Sequence, residues 1–182
     1  MSMDVHEAIN IRRSVRSYDA KRAIPPEVME RLRAALRLAP SACNFQPWHF
    51  ILVTDPKLRH DLSKIANDQH FIADAALIVV ACGLPLQAHK RMAGHRNSVE
   101  VDVAIALDHL TLAAVAEGLG TCWIGAFDEQ KAKRLLEVPE ELEIVALMPV
   151  GYPASPDLNH PLDESRRKAE GEIFSTDKYG RR

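Results

Sequence analysis

Apolar residues recur along this chain with two different periods. Between Pro26 and Ala39 they fall at Val28, Leu32, Ala35, Leu36 and Ala39, the spacing of one helical face. Pro25 and Pro26 open that segment and Pro40 follows it, which suits a residue with fixed φ and no N–H. "DPKLRHDLSKIA" predicts another helix, with Asp55 as N-cap, Pro56 at the first helical position, and Leu58, Leu62 and Ile65 inward. A further helix follows Asp128, burying Ala132, Leu135 and Leu136, and "MDVHEAI" forms a short one at the start. Between these stripes lie unbroken apolar runs. "HFILVT", "AALIVVAC" and "EIVALMPVGYP" read as buried strands, and "TCWIGAF" as a shorter one. Pro149 lacks a ladder donor, so it predicts that the last strand lies at an edge or ends there.

One segment fits neither pattern. Ser98 to Glu117 has helical length, but its polar residues do not share a side. Glu100, Asp108 and Thr111 project one way, Asp102 and His109 nearly the opposite way. A helix that is largely apolar all round must be covered all round. A chain of 182 residues has trouble doing this alone, so a second copy is the expected cover.

The glycines after that helix, Gly118, Gly120 and Gly125, invite comparison with a dinucleotide fingerprint. The fingerprint runs strand, glycine turn, helix, with its third glycine three places after the second. Here the order is helix, glycines, strand, and Trp123 holds the third place. The fingerprint is absent. What remains is Gly125 in a strand, where a ligand or backbone can approach closely.

Composition narrows the class. Residues 1–182 read as a single domain, 47% apolar and 26% charged, with a formal charge of −2. That balance argues against a nucleic-acid footprint. The 3 cysteines, Cys43, Cys82 and Cys122, form neither a disulfide framework nor a zinc knuckle, and the 8 histidines show no metal-ligand spacing. No apolar leader opens the chain, and its longest apolar run is too short to span a bilayer, so a cytoplasmic protein without membrane contact is expected.

Against this faintly acidic background stands "NIRRSVRSYD", with Arg12, Arg13, Ser14 and Arg16 close together. It is either a solvated face or an anion site. The polar tail carries a second cluster, Arg166, Arg167 and Lys168, which is either a loose terminus or the other half of that site. Guanidinium forks hold phosphate bidentately, and without a P-loop the phosphate is not that of a nucleoside triphosphatase. His89, Lys90, Arg91, His95 and Arg96 crowd the link before the long helix, as a solvated loop or as the lining of an acceptor pocket.

"APSACNFQPWHF", residues 39 to 50, connects helix to strand. Taken with "RRSVRSY", the "GLGT" after the long helix, the late "GYP" and the basic pair near the C-terminus, it resembles the nitroreductase family of flavoproteins over nearly the whole chain. The resemblance implies an α+β fold, a three-layer α/β/α arrangement with a mostly antiparallel sheet. It also implies a homodimer with an exchanged C-terminal segment, residues 153–182 or so packing on the partner. Bound FMN is the implied cofactor and NAD(P)H the implied electron donor. Arg12, Arg13, Ser14 and Arg16 match the stretch holding the phosphate and the flavin's pyrimidine edge, and Arg167 with Lys168 the C-terminal phosphate clamp. Ser41 and Asn44 match positions contributed by the partner subunit, while Gln46 and Trp48 fix the loop. Trp123, Ile124 and Gly125 match the strand along the isoalloxazine ring, and Asn67 and Gln69 make a looser match. No side chain is assigned as a catalytic acid. The implied reaction is ping-pong reduction of a nitroaromatic or quinone. Another acceptor (an enone or halogenated aromatic) and a flavin-binding protein without turnover remain the alternatives.

Overall fold

The structure, a computed structural model, describes residues 3–181. In chain order its elements are α1 (Val5–Ile11), α2 (Pro26–Arg37), β1 (Trp48–Val53), α3 (Pro56–Ile65), α4 (Phe71–Asp74), β2 (Leu77–Gly83), α5 (Val99–Ala116), β3 (Gly120–Thr121), α6 (Glu129–Leu136), β4 (Glu143–Gly151) and α7 (Glu170–Ile173). Aspartates start three of the helices as N-caps. Asp4, Asp55 and Asp128 accept the backbone N–H of Glu7, Leu58 and Lys131 at 2.9, 2.8 and 3.0 Å. The four-residue α4 was not foreseen, because a single turn shows no period.

The strands form an antiparallel sheet in the order β1-β2-β4-β3. Every residue of β2 is buried, which explains its unbroken apolar run: helices cover both faces. Leu77, Val79 and Ala81 pack with Leu32 and Leu36 of α2 and with Val103, Leu107 and Leu110 of α5. On the other face, Ile78, Val80 and Cys82 pack with Leu62 of α3 and Ala132 of α6. The three layers are therefore α2 and α5, the sheet, then α3 and α6. A register shift opposite Ala81 and Cys82 leaves Val145 without a partner in β4. Val145 and Ala146 consequently both face α5, while Ile144 turns to the opposite layer.

Two expectations about the last strands are corrected. β4 is not an edge strand, since β2 and β3 flank it. Nor does "TCWIGAF" form a continuous strand: pairing covers Gly120 and Thr121, lapses, and resumes at a single bridge between Ile124 and Leu147. Pro149 accounts for both. Leu147 exchanges both backbone bonds with Ile124 at 3.0 Å, so Pro149, on the same side of β4, turns its nitrogen toward β3. The unbroken register would set Pro149 opposite Cys122, and there the donor is missing. The ladder opens at Cys122 and Trp123.

The "GLG" run has two separate causes. Gly118, at φ +73°, ends α5 in the left-handed region: its N–H reaches the Val115 carbonyl at 3.0 Å and the Leu119 N–H the Ala114 carbonyl at 2.8 Å. At Gly120 a Cβ would sit 2.5 Å from Cγ2 of Val15. The absence of a side chain there lets residues 14–15 lie against β3, where the Val15 N–H donates to the Thr121 carbonyl at 2.9 Å.

α5 is covered by the sheet, by α2 and by α1, but not all round. Asp102, Val103, Ala106, Leu107, Leu110, Thr111 and Ala114 are buried, but Val101 is 42% exposed, and Ala104, Ile105 and Leu112 are half-buried. After β4 the chain does not leave at once. The Ala154 N–H donates to the Ser17 carbonyl at 3.0 Å, and Asn159 Nδ2 to the Leu119 carbonyl at 3.1 Å. Residues 153–162 thus make contacts with their own chain. Every described residue from Asp163 onward is exposed, including Ile173 and Phe174. Among the described residues no helix is long and apolar enough to cross a membrane.

Candidate functional site

The end of α1 and the stretch after it put the first arginine cluster on the rim of a cleft. Arg12 C-caps α1 with its N–H on the Ala8 carbonyl, after which the chain turns extended and runs beside β3. The cleft, about 270 Å³, is lined by Arg12, Ser14, Ala104, Asp108, Thr111, Thr121 and Trp123 among others. Ala104, Asp108 and Thr111 stand one turn apart on α5 and present one stripe to it. Trp123, in the gap that Pro149 opens, is 44% exposed. A Cβ built on Gly125 would lie in ordinary contact with the Trp123 indole, 3.6 Å from its nitrogen, so the Trp123 side chain covers that backbone.

The charges around the cleft are not neutralised. Among the described residues none of Arg12, Arg13, Arg16 and Arg167 pairs with a carboxylate. Arg13 Nη2 instead donates to the Asn10 carbonyl at 2.7 Å. Burial, and then the charges of Arg12 and Arg167, pull the Arg13 guanidinium below its usual range. The chain after β4 comes back to this stretch, where the Leu162 N–H meets Asn10 Oδ1 at 3.4 Å. Like charges held together without a counterion raise the free energy of the protein alone and lower it when an anion arrives. Beneath the cluster, Tyr18 donates its hydroxyl to the carbonyls of Val15 at 2.8 Å and Pro149 at 3.3 Å, pinning the stretch to β4. Burial raises the Cys122 thiol, while the nearby Arg16 charge and a hydrogen bond with Ser14 oppose that rise.

A second feature lies in the loop between α2 and β1. Cys43, Asn44 and Gln46 adopt φ of +52°, +55° and +51°. Each non-glycine residue held there costs roughly 1–3 kcal/mol, so the loop must be anchored. Ser41 Oγ accepts the Gln46 N–H at 2.8 Å, and Gln46 Nε2 donates to the Asn44 carbonyl at 3.1 Å. The result is a compact knot with Asn44 and Phe45 exposed.

The sequence and the fold both have counterparts among known proteins. The sequence model of the nitroreductase family matches residues 9–83 and 66–152. The chain belongs to the nitroreductase family. It is similar to NADH dehydrogenase of Thermus thermophilus, 30% identical over 182 residues that cover 84% of this chain and 88% of that protein. A nitroreductase family protein from Clostridium difficile superposes with a TM-score of 0.85 at 27% identity, over 97% of this chain and 99% of that one. NADPH:FMN oxidoreductase from Vibrio harveyi, solved with NAD+, shares the fold at a TM-score of 0.83 and 23% identity, over 96% of this chain and 77% of its own. The nitroreductase family is one of flavin-dependent oxidoreductases, and this chain is placed among them.

Within this nitroreductase-family fold the predicted residues divide into groups. Arg12, Ser14 and Trp123 line the cleft; Arg13 and Arg16 share the 12–16 stretch without lining it, and Arg167 lies exposed on the tail. Ile124 does not offer itself to a ligand: it is 4% exposed and both of its backbone polar groups bond Leu147. It sets the position of its neighbours Trp123 and Gly125. Gln69 closes the end of α3, donating Nε2 to the Ala66 carbonyl at 2.8 Å, and Asn67 donates to the Ala126 carbonyl at 3.3 Å. Ser41 and Asn44 belong to the knotted loop and do not line this cleft. Lys168 is exposed on the tail. Sequence reasoning missed Asp108 and Thr111 as cleft residues, although their common side with Glu100 was legible in the helical spacing. A larger concavity, about 530 Å³, lies along the free edge of β1 between Trp48, Phe50, Leu52 and α2, away from Arg12 to Arg16.

Proposed function

We propose that the protein is an FMN-dependent oxidoreductase that takes hydride from NAD(P)H and reduces a small electrophilic acceptor, such as a nitroaromatic or quinone. The observation that carries this reading is a cleft lined by Arg12, Ser14 and Trp123, in a stretch where, among the described residues, neither Arg12, Arg13 nor Arg16 pairs with a carboxylate. The residues present fit FMN: arginines for its phosphate, a cleft beside them, and the half-exposed Trp123 on its lining for a flat ring. Bound there, FMN supplies hydride acceptance from the nicotinamide and electron donation to the acceptor. Arg13, Arg16 and Arg167, with Ser14, hold the phosphate through charge-assisted hydrogen bonds. Arg12 supplies positive charge where negative charge builds on the pyrimidine edge during reduction. Trp123 stands at the open side and excludes water from it. No side chain of this cleft is assigned as a proton donor.

The active form in this reading is a homodimer. The uncovered side of α5 and the exposed tail with Ile173 and Phe174 are the surfaces that a second copy buries. Ser41 and Asn44, absent from their own cleft, complete that of the partner.

The test is direct. The purified protein is expected to be yellow, to release FMN on denaturation, and to oxidise NAD(P)H with a quinone or nitroaromatic. Double-reciprocal plots at several acceptor concentrations should be parallel, since donor and acceptor use one face in turn. Tight FMN with no turnover over a broad acceptor panel, enones and halogenated aromatics included, would instead mark a binding protein.

A further inference from the structure

One buried charge has no part in the cleft just described. Asp102 lies on α5, is 2% exposed, and has no Lys, Arg or His within 4.0 Å among the described residues. Its carboxylate is satisfied by hydrogen bonds alone. Oδ1 accepts the Ala42 N–H at 2.9 Å and Oδ2 accepts the Ser98 hydroxyl at 2.7 Å. Ser98, itself fully buried, accepts the His89 N–H at 3.1 Å and returns its own N–H to the His89 carbonyl at 2.9 Å. One carboxylate thereby joins three pieces: the knotted loop 41–46, the start of α5, and the basic link 84–98.

The loop depends on that joint. Its left-handed residues Cys43, Asn44 and Gln46 relax to ordinary backbone unless held. The bonds from Ser41 and Gln46 tie the loop only to itself. The bond from Ala42 to Asp102 ties it to the body. A buried carboxylate without a cation is expensive to keep, and an apolar residue would pack as well on a helix facing the core. Its charge-assisted bond to a backbone N–H is the return it gives.

We propose that Asp102 is a positioning residue. Its carboxylate holds loop 41–46, and through Ser98 the 84–98 link, in the conformation in which Ser41 and Asn44 meet the flavin of a second copy. The inference rests on the flavin reading of that loop.

The test compares Asp102→Ala and Asp102→Asn with Ser63→Ala. Ser63 is buried on α3, in the other helical layer, and its hydroxyl bonds only the His60 carbonyl, so it controls for a lost buried hydrogen bond. Two quantities are measured on the full chain: amide hydrogen exchange by mass spectrometry, and FMN dissociation by flavin fluorescence on dilution. In Asp102→Ala the peptide covering 40–47 should exchange about tenfold faster, the β2 peptide should not change, and FMN should bind about tenfold more weakly. Asp102→Asn keeps one acceptor and should fall between; it carries the test alone if the alanine variant does not fold. Ser63→Ala should leave both loop exchange and FMN affinity as in wild type. Loop exchange at the wild-type rate in both Asp102 variants would overturn the inference. So would a uniform rise across all peptides, or FMN affinity within twofold of wild type despite a loosened loop. A wild-type protein that binds no FMN would sink the flavin reading itself and this inference with it, a result distinct from wild-type binding that the Asp102 variants leave untouched.

Discussion

Arg13 lies in the cationic stretch between Arg12 and Ser14, and among the described residues no carboxylate pairs with it. Burial and two neighbouring guanidinium groups disfavour its charge, and a bound phosphate reverses the sign of that arrangement. Replacing Arg13 or Arg167 by Ala should remove a charge-assisted contact worth about 1.5–3 kcal/mol. FMN should therefore bind more weakly by roughly tenfold to a hundredfold, while riboflavin, lacking the phosphate, should bind as before. Fluorescence titrations with both flavins check this, and equal losses for the two would refute the phosphate assignment. Cys82 makes a second prediction at this scale. Burial, helped by the Glu129 charge and opposed by Lys133, pushes its thiol up to about 11. An unfolded cysteine titrates near about 8.5. Its folded value is the raised one, so the stability from the protonated thiol is complete below that lower value and lost as pH climbs toward the upper one. Urea midpoints should fall across that window, and less steeply in Cys82→Ala; identical slopes would clear Cys82 of the effect. Burial likewise raises the Tyr18 hydroxyl, which extends the fall to higher pH.

The elements show why like substitutions have unlike effects. Gly118 and Gly120 sit two places apart, one ending α5 and the other lying in β3. An alanine at Gly118 meets nothing within 4 Å, but its φ of +73° costs about 1–2 kcal/mol in backbone strain. Gly118→Ala should lower stability by that amount and leave flavin affinity intact. At Gly120 the conformation is ordinary and the space is taken, with Val15 Cγ2 at 2.5 Å from the added carbon. Gly120→Ala should cost about 1–3 kcal/mol by overpacking and, in addition, push the 12–16 stretch off β3. Denaturation paired with flavin titration separates the two, and a Gly120→Ala protein with wild-type flavin affinity would mean that the arginine stretch does not depend on its seat beside β3. At the same scale α5 explains its own awkward pattern. Ala104, Asp108 and Thr111 line the cleft, Asp102 bonds the loop, and the exposed Val101 and half-buried Leu112 complete the mixed pattern.

For the whole molecule the open matter is assembly. A tail fully exposed from Asp163 onward, carrying Ile173 and Phe174, is a poor ending for a lone chain and a natural one for a chain that reaches across to a copy of itself. Ile173→Asp with Phe174→Asp should therefore shift sedimentation toward monomer without changing the circular dichroism of the core. An unchanged dimer, or a wild-type monomer, would remove the tail from the interface. A stricter test combines two chains, one with Arg16→Ala and Arg167→Ala, the other with bulky replacements at Ser41 and Asn44. If those motifs meet across the interface, the doubly tagged heterodimer regains one working flavin site. If they meet within one chain, every site keeps a defect and none is recovered.

Local chemistry alone determined most of the elements. Asp55, Pro56 and Asp128 mark helix starts because caps act within one turn, and the run from Leu77 to Cys82 reads as a central strand because only a strand covered on both sides is apolar throughout. The arginine clusters and the motif order were visible too, since charge and motif spacing are properties of the chain itself. What only tertiary structure decided were the pairings between distant residues. Pro149 came to lie in an interior strand because the gap it needs opens in the neighbour, at Cys122 and Trp123, which nothing near Pro149 reveals. Asp102 looked like a misplaced polar residue until the fold set the Ala42 N–H within 2.9 Å of it. Residues 153–162 turn back along their own chain, with Ala154 bonded to Ser17, Asn159 to Leu119 and Leu162 to Asn10, and such contacts are selected by the packing of the whole core and leave no period in the sequence.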